Sequence, residues 1–510
     1  MSEQEYTSWN PVEWTERRFQ ALGGWLTNEY TQRANMIGGV DNLFLLLSEV
    51  ASDFNPVCAA VYTFEKCIVL EDLESTALSM AEEFPKYKSR LTALGKKLHS
   101  PSFEPDPLFD VESHVSSTTL PQPAGKKELE DLMGRFIAKE WDIRRPLWEM
   151  LLVTNYHDED GAQCALLSRA QYYMTSYFDE LQRLINTAAE KLEAAKRGRL
   201  PPSEIHPSLR FLDHFSQTRP RRREREFACT NEFKLDDVKL CQHAFSGSRP
   251  GSHLKKPRGF KGAGHLTLND VVCAVMVDAA ESILRDNARR GVGPNRLFTF
   301  LKRKLPTPMG FFVPISLRQA GDWTLRNLST GAIAYLEPSK NLSNTVSTKQ
   351  LYKHMHSCRR ELSLIKHSIW PKIIFELLQV VGQVPVAWPF PFAVLPRLLS
   401  SSISTFVRDW ITSPVIRLIL GSVPIIFTNV PGPTAPLEIC GVKAIKWCAL
   451  PPQAGKGTLG IGVISYNGGL CVSVAADSVP GTEGVARKLC ELFEKRFKVY
   501  VERAREISGQ

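Results

Sequence analysis

Segments of helical and of strand period alternate along this chain, and the alternation predicts an α/β (α+β) fold built as two halves. Three observations carry that expectation. The 510 residues, 43% hydrophobic and 23% charged, exceed what one core serves, because single cores stop growing near roughly 250–300 residues. Strand-length apolar runs flank turn residues at two places. Amphipathic helices with marked starts and stops stand between them, and no internal repeat is visible.

Residues 57–62 form the first strand-like run. Leu129, Leu132 and Phe136 then recur at helical spacing, and Pro146-Leu147-Trp148-Glu149 leads into an apolar run over residues 150–154. The turn His157-Asp158-Glu159-Asp160-Gly161 opens a second run over residues 162–169, which predicts a β-hairpin with Asp-Gly in its turn. Tyr177, Leu181, Leu184, Ile185, Ala188, Leu192 and Ala195 repeat at three and four, with Gly198 and Pro201 past the end: a long helix with a stop. These elements delimit an N-terminal half over residues 1–200.

Residues 201–264, rich in Arg, Lys, Pro, Gly and Ser with a short apolar interruption near residues 238–245, predict a basic crossover linker. The second half, residues 265–510, opens on Thr267-x-x-Asp270, a capping-box arrangement ahead of Val272, Val275, Met276, Ala279 and Ile283. A strand is predicted over residues 311–316. Residues 461–466 and 470–476 read as strands joined by Asn467-Gly468-Gly469, whose glycines permit positive φ, and a last amphipathic helix covers residues 483–501.

The charge of +9 is spread along the chain, and its densest basic runs, residues 219–225 and 255–261, interleave few aromatics for base stacking. Nucleic acid is therefore not expected as a partner. A solvated linker face is the plain reading of these runs, an anionic lipid surface the alternative. Eleven cysteines without a Cys-x-x-Cys pair, several in apolar runs, read as reduced thiols of an intracellular protein. His354 and His356 lack Cys or carboxylate partners at ligand spacing, so no metal site is expected. Gly455-Lys456-Gly457-Thr458-Leu459-Gly460 fits a dinucleotide pattern but precedes a strand, so it fails that motif's context. The acidic N-terminus, Met1-Ser2-Glu3-Gln4-Glu5, shows no secretory signal. Prolines and arginines interrupt the most apolar stretch, residues 373–420, so it predicts no clean spanning helix.

Four separated signatures then fall in one order: Pro146-Leu147-Trp148-Glu149; Asn269-Asp270; Val313-Pro314-Ile315-Ser316-Leu317-Arg318 followed by Asn327; and Thr428-Asn429-Val430-Pro431-Gly432-Pro433 with Ser465-Tyr466-Asn467-Gly468. Phe109-Asp110 with His114-Val115 adds an N-terminal strand. Together they resemble the wax ester synthase/diacylglycerol acyltransferase family over residues 42–501. The resemblance implies two chloramphenicol acetyltransferase-like halves with a central substrate tunnel. It also implies O-acyl transfer from acyl-CoA, a co-substrate with no further cofactor, to diacylglycerol or a fatty alcohol. Members are understood to use a tunnel histidine as general base. A place in the cytoplasm, or on the periphery of endoplasmic reticulum or lipid droplets, follows. The aromatic, proline-rich residues 384–399, with Trp388, Phe390 and Phe392, are either the interfacial contact or a buried segment closing the tunnel.

The family's His-His-x-x-x-Asp-Gly block, however, is absent. It belongs at or next to Ala170 and Gln171, where the chain instead reads Ala170-Gln171-Tyr172-Tyr173-Met174-Thr175-Ser176-Tyr177. Either Gln171, Tyr172, Ser176 and Tyr177 replace the motif residues, or the block has been lost. The helical pattern that begins almost at once favours loss. None of the eleven histidines has Asp four residues on. His157 sits in the hairpin turn, and His265, ahead of the Asn269-Asp270 helix, is the one remaining candidate base. Trp148 reads as core and Arg318 as an anion-binding or ion-paired residue. The sequence thus leaves three readings: an acyltransferase with impaired turnover, a catalytically dead acyl-CoA-binding relative, or an active protein whose motif was removed by a gene-model error.

Overall fold

The computed structural model describes residues 41, 44–45, 56–92, 102–171, 224–246, 265–289, 308–317, 329–366 without 341 and 344, 368, 371–376 without 374, 425–452, 458–478 and 483–509. The expected helix over residues 177–195, Arg318, Asn327 and most of residues 373–420 lie outside them.

In chain order the elements are β1 (Val57–Phe64), α1 (Leu70–Glu83), β2 (Ser89–Thr92), β3 (Ser102–Pro105), β4 (Val115–Thr118), α2 (Lys126–Ala138), β5 (Trp148–Val153), β6 (Cys164–Gln171), β7 (Arg225–Cys229), β8 (Phe233–Lys234), α3 (Leu235–Phe245) and α4 (Leu268–Arg289). After them come β9 (Met309–Ser316), β10 (Ser329–Leu336), α5 (Thr348–Lys366), β11 (Ile425–Pro431), β12 (Glu438–Ile439), β13 (Val442–Leu450), β14 (Leu459–Tyr466), β15 (Gly469–Asp477) and α6 (Val485–Ser508). The fold is α/β, as the alternation of periods predicts.

A six-stranded sheet has the order β12-β13-β1-β6-β5-β4, and a seven-stranded sheet the order β10-β9-β11-β14-β15-β7, with β8 also on β15. The predicted hairpin is β5–β6, paired antiparallel from Trp148↔Ala170 to Val153↔Ala165. Its turn is stitched by Asp158, which accepts from Asp160 N, Ala162 N and the Tyr156 hydroxyl. His157 is exposed in that turn. Asn467 and Gly468 both hold positive φ between β14 and β15, the backbone that a two-residue hairpin turn demands.

The basic linker expected over residues 201–264 is corrected in part: residues 224–246 contain β7, β8 and α3. Alternation inside a charged stretch is the reason. Phe227 and Ala228 are buried, and Arg225 reaches Asp477 at 3.7 Å from beneath the surface, so β7 completes the edge of the seven-stranded sheet. Val238, Cys241 and Phe245, the apolar interruption, are the buried stripe of α3.

Helices α3, α4, α5 and α6 share one large core with the seven-stranded sheet. Asp278 on α4 sits at its centre and accepts from Arg496 Nη2 (2.9 Å), the Tyr500 hydroxyl (2.9 Å) and Ser339 N (2.7 Å), so a fully buried carboxylate is satisfied. Helix α2 packs across the six-stranded sheet and β7 together. Its Glu130 accepts from Cys229 N at 3.1 Å and from Arg487 Nε on α6 at 2.9 Å.

The sheets meet where β13, from the C-terminal sequence, pairs with β1 of the six-stranded sheet while lying against β14 and β15. A Cβ on Gly462 would overlap the Ala449 carbonyl oxygen, and the Ser473 hydroxyl donates to that same oxygen. Gly462→Ala is expected to lower unfolding stability by about 3 kcal/mol, at the upper end for overpacking, because backbone is what the methyl meets. Urea denaturation monitored by tryptophan fluorescence checks this; an unchanged midpoint would show that β13 has room to move.

Candidate functional site

The end of β6 is where the resemblance places the base. Gln171 is buried within the strand, opposite Val57 on β1, and its amide donates to Leu147 O at 3.0 Å. The signature Pro146-Leu147-Trp148-Glu149 therefore lies directly across the ladder from Arg169, Ala170 and Gln171. The second run of the hairpin, expected to end at Arg169, continues two residues further.

Glu149 and Arg169 face each other in the register and form a 3.0 Å ion pair. The Arg169 guanidinium also donates to Lys139 O at 2.6 Å, and it lies 3.9 Å over the Trp141 ring and 5.0 Å over Phe136. Lys139 Nζ reaches Glu149 from the other side at 3.0 Å. Arg169 is fully enclosed, and burial works to lower its pKa while Glu149 opposes the shift. A charge in such a place persists because every donor finds an acceptor or a ring face.

Trp148 is 2% exposed, donates from Nε1 to Tyr87 O at 2.8 Å, and stacks on His114 at 4.7 Å between centroids. His114 in turn stacks on Phe109 at 5.5 Å. Its Nδ1 lies 2.8 Å from Trp148 O, which can only accept, so Nδ1 carries the proton. Burial holds the imidazole below its ordinary range, with the Trp148 carbonyl opposing the shift. Covered on both faces, His114 is a packing wedge that fixes β4 against β5.

In the second half, the capping box is realised: Thr267 N donates to Asp270 Oδ2 at 2.7 Å and Asp270 N to Thr267 Oγ1 at 3.4 Å. Burial raises the Asp270 pKa, and the Thr267 hydrogen bonds oppose that. Asn269, beside it, accepts through Oδ1 from Asn429 Nδ2 at 2.8 Å, joining the start of α4 to β11 across 160 residues of sequence. Pro431 ends β11 opposite Ser465. Gly432 follows, its amide on Ser465 O at 2.8 Å. A Cβ at Gly432 would overlap that oxygen and press on Trp447 at 3.1 Å. The chain can cross from one sheet to the other here only with glycine.

The six-stranded sheet has unlike faces. Val57, Ala59, Val61 and Thr63 of β1, with Leu167 and Arg169 of β6 and Cys448 and Leu450 of β13, are buried on one face. Cys58, Ala60 and Tyr62, with Ser168 and Ala170 and with Trp447 and Ala449, share the other face and stay half-buried. Tyr62 stacks on Trp447 at 5.5 Å, and burial pushes its hydroxyl up to about 12. This second face carries small side chains beside the Tyr62 and Trp447 rings, and Tyr62, Ala170, Trp447 and Ala449 pack against the core around Trp148.

Of the residues singled out by sequence, the structure groups Pro146, Leu147, Trp148 and Glu149 with Ala170 and Gln171, and separately Asn269 and Asp270 with Asn429, Pro431 and Gly432. His265 is exposed ahead of the Thr267 cap. Sequence reasoning missed the Arg169–Glu149 pair and the His114 wedge. The signal for the first was an Arg inside an apolar strand run. His354, which has no metal-ligand partner at sequence spacing, has the one carboxylate Asp278 Oδ1 at 3.3 Å, supplied from another helix.

Comparison with known proteins matches residues 37–172 to the wax ester synthase/diacylglycerol acyltransferase catalytic domain and residues 391–499 to the family's C-terminal domain. The first match stops at Tyr172, one residue past β6. A Mycobacterium tuberculosis protein named as a diacylglycerol O-acyltransferase is 22% identical over 502 residues, covering 88% of each chain. A second from that organism is 22% identical over 438 residues, covering 80% of this chain and 83% of its own. Among solved structures, the wax ester synthase/diacylglycerol acyltransferase of Marinobacter aquaeolei VT8 superposes with TM-score 0.53 at 17% identity, over 92% of this chain and 99% of that one. The trichothecene 15-O-acetyltransferase of Fusarium sporotrichioides gives 0.52 at 12% identity, over 91% and 94%. These two likenesses establish the shared two-lobed fold.

The ion pair yields an asymmetric expectation. Glu149→Ala strands a buried guanidinium and is expected to cost about 3–5 kcal/mol. Arg169→Met leaves a partly exposed carboxylate that Lys139 still serves, and is expected to cost much less. Thermal melts of the two variants decide it; equal losses would mean that packing, not charge, holds the strand end.

Proposed function

Because the chain belongs to the wax ester synthase/diacylglycerol acyltransferase family, we propose that it is an O-acyltransferase of neutral lipid ester synthesis that keeps the substrate scaffold and has lost the general base. One observation carries this reading. Strand β6 runs intact and doubly paired to Gln171, yet no His-His pair occurs anywhere in the 510 residues. The co-substrate in this reading is a long-chain acyl-CoA and the acceptor diacylglycerol or a long-chain alcohol.

In the complete reaction the acceptor hydroxyl loses its proton to the base, its oxygen attacks the thioester carbonyl, and the CoA thiolate leaves and is reprotonated. Without the base the proton has no receiver at the moment of attack. Loss of a general base removes roughly 10²–10⁴-fold in rate, and what remains rests on positioning and hydrogen bonding. Asn269 and Asn429 hold each other and α4 in place for that positioning role.

A second reading, an active protein whose motif block is missing from this sequence, is favoured by the catalytic-domain match ending at Tyr172. Sequencing the transcript across the codons for residues 168–177 separates the two. Among the described residues no helix is long and apolar enough to cross a membrane. Peripheral contact with endoplasmic reticulum or lipid droplets through residues 384–399 belongs to the proposal.

The chain is expected to transfer palmitate from palmitoyl-CoA to diacylglycerol or hexadecanol at about 10²–10⁴-fold below a motif-bearing relative. A His-His-x-x-x-Asp-Gly block inserted after Ala170 puts a histidine in the ladder position of Gln171, and is expected to restore transfer better than exchanging Gln171, Tyr172, Ser176 and Tyr177. Full turnover of the unaltered chain, or failure of both folded variants, would contradict the proposal.

A further inference from the structure

Three cysteines distant in sequence converge where the two sheets meet. Cys229 on β7, Cys448 on β13 and Cys471 on β15 bring their sulfurs within 4.8 Å of one another, and Cys448 and Cys471 are 2.9 Å apart. No other group of His, Cys, Asp or Glu among the described residues is so disposed to hold a metal ion. Two strands of the trio belong to the seven-stranded sheet and one to the six-stranded sheet.

A second observation concerns charge. Lys446, two residues before Cys448, is 7% exposed and makes no ion pair among the described residues. Its Nζ donates to Thr230 O at 3.0 Å, and that oxygen is 3.7 Å from Cys471 Sγ. An enclosed ammonium is costly unless negative groups lie close by. The three sulfurs lie beside it and can supply such charge, together with the carboxylates of Asp160 and Glu232, which also act on the ammonium.

We propose that Cys229, Cys448 and Cys471 form a structural site for a thiophilic divalent cation of the zinc type, which staples the two sheets together. Zinc bound tetrahedrally by thiolates at about 2.3 Å holds its sulfurs about 3.8 Å apart, so the closest pair opens by about 1 Å and the third needs little movement. Loading releases the thiol protons to solvent and leaves a tris-thiolate zinc group of net charge −1, which the Lys446 ammonium balances. Loss of the Cys471 proton frees the Thr230 carbonyl oxygen of one of its two donors, and that oxygen or a water completes the fourth position. The site is independent of the acyl-transfer reading.

The test uses the full-length chain purified under reducing conditions without chelators. Elemental analysis is expected to give one zinc per chain. After stripping, titration with cobalt(II) is expected to produce a thiolate-to-cobalt charge-transfer band and the tetrahedral d–d envelope, saturating at one equivalent. Both signals are expected to vanish in Cys448→Ser/Cys471→Ser and to persist in Cys67→Ser, which alters an exposed thiol. Should the double variant not fold, the unaltered chain still decides, since re-addition of zinc to the stripped protein is expected to raise its melting temperature. A folded chain with no bound metal, no cobalt bands and no zinc-dependent shift would overturn the proposal, and so would copper in place of zinc. A Cys448–Cys471 disulfide found by mass spectrometry of the alkylated, denatured protein would overturn it as well.

Discussion

The architecture depends on how closely β13 approaches β14 and β15. Strand β13 comes from the second half of the sequence yet pairs with β1, which pairs with β6. Through that strand, with α2 packed across the joint, the six-stranded sheet is positioned relative to the rest. The contact tolerates no side chain at Gly462, because the Ala449 carbonyl oxygen occupies the space, and Ser473 saturates the same oxygen. Gly432 repeats the device where β11 leaves its sheet, against Ser465 and Trp447. Two backbone approaches and their glycines thus set the distance between the β6 end and the α4–β11 corner, the two places where the family signatures gather.

Charge buried at the joints then makes the arrangement specific. Glu130 on α2 bridges β7 and Arg487 of α6, and burial pushes its carboxyl up to about 7. Asp278 does similar work inside the second half, and the Arg169–Glu149 pair in the first. Such groups add little to net stability compared with apolar replacements, but an alternative packing that leaves one unpaired loses several kcal/mol, of order 3–5. The strand end where the resemblance places the base is therefore firmly built.

Much of this was legible in the sequence where local chemistry decides. The β5–β6 and β14–β15 hairpins announced themselves through alternation and their Asp-Gly and Asn-Gly turns, and the α4 start through Thr267 and Asp270. Strand β7 was hidden because its alternation is short and lies among arginines, and only burial of Phe227 and Ala228 shows that Arg225 is paired inward. The Asn269–Asn429 bond and the Cys229, Cys448 and Cys471 cluster were illegible for another reason. Each joins residues far apart in the chain, and spacing rules read only what is near. Trp148 was placed in the core correctly, but its partner His114 follows from three-dimensional stacking and not from the motif.

The central claim is that the substrate scaffold survives the loss of the base. Equilibrium binding of palmitoyl-CoA to the full-length chain, with the ligand recovered and analysed afterwards, addresses it directly. Saturable one-to-one binding with the thioester returned intact, in the presence of hexadecanol or diacylglycerol, is the predicted result. Absence of saturable binding to the folded protein, or recovery of the acyl group as ester at the rate of a motif-bearing relative, would contradict it.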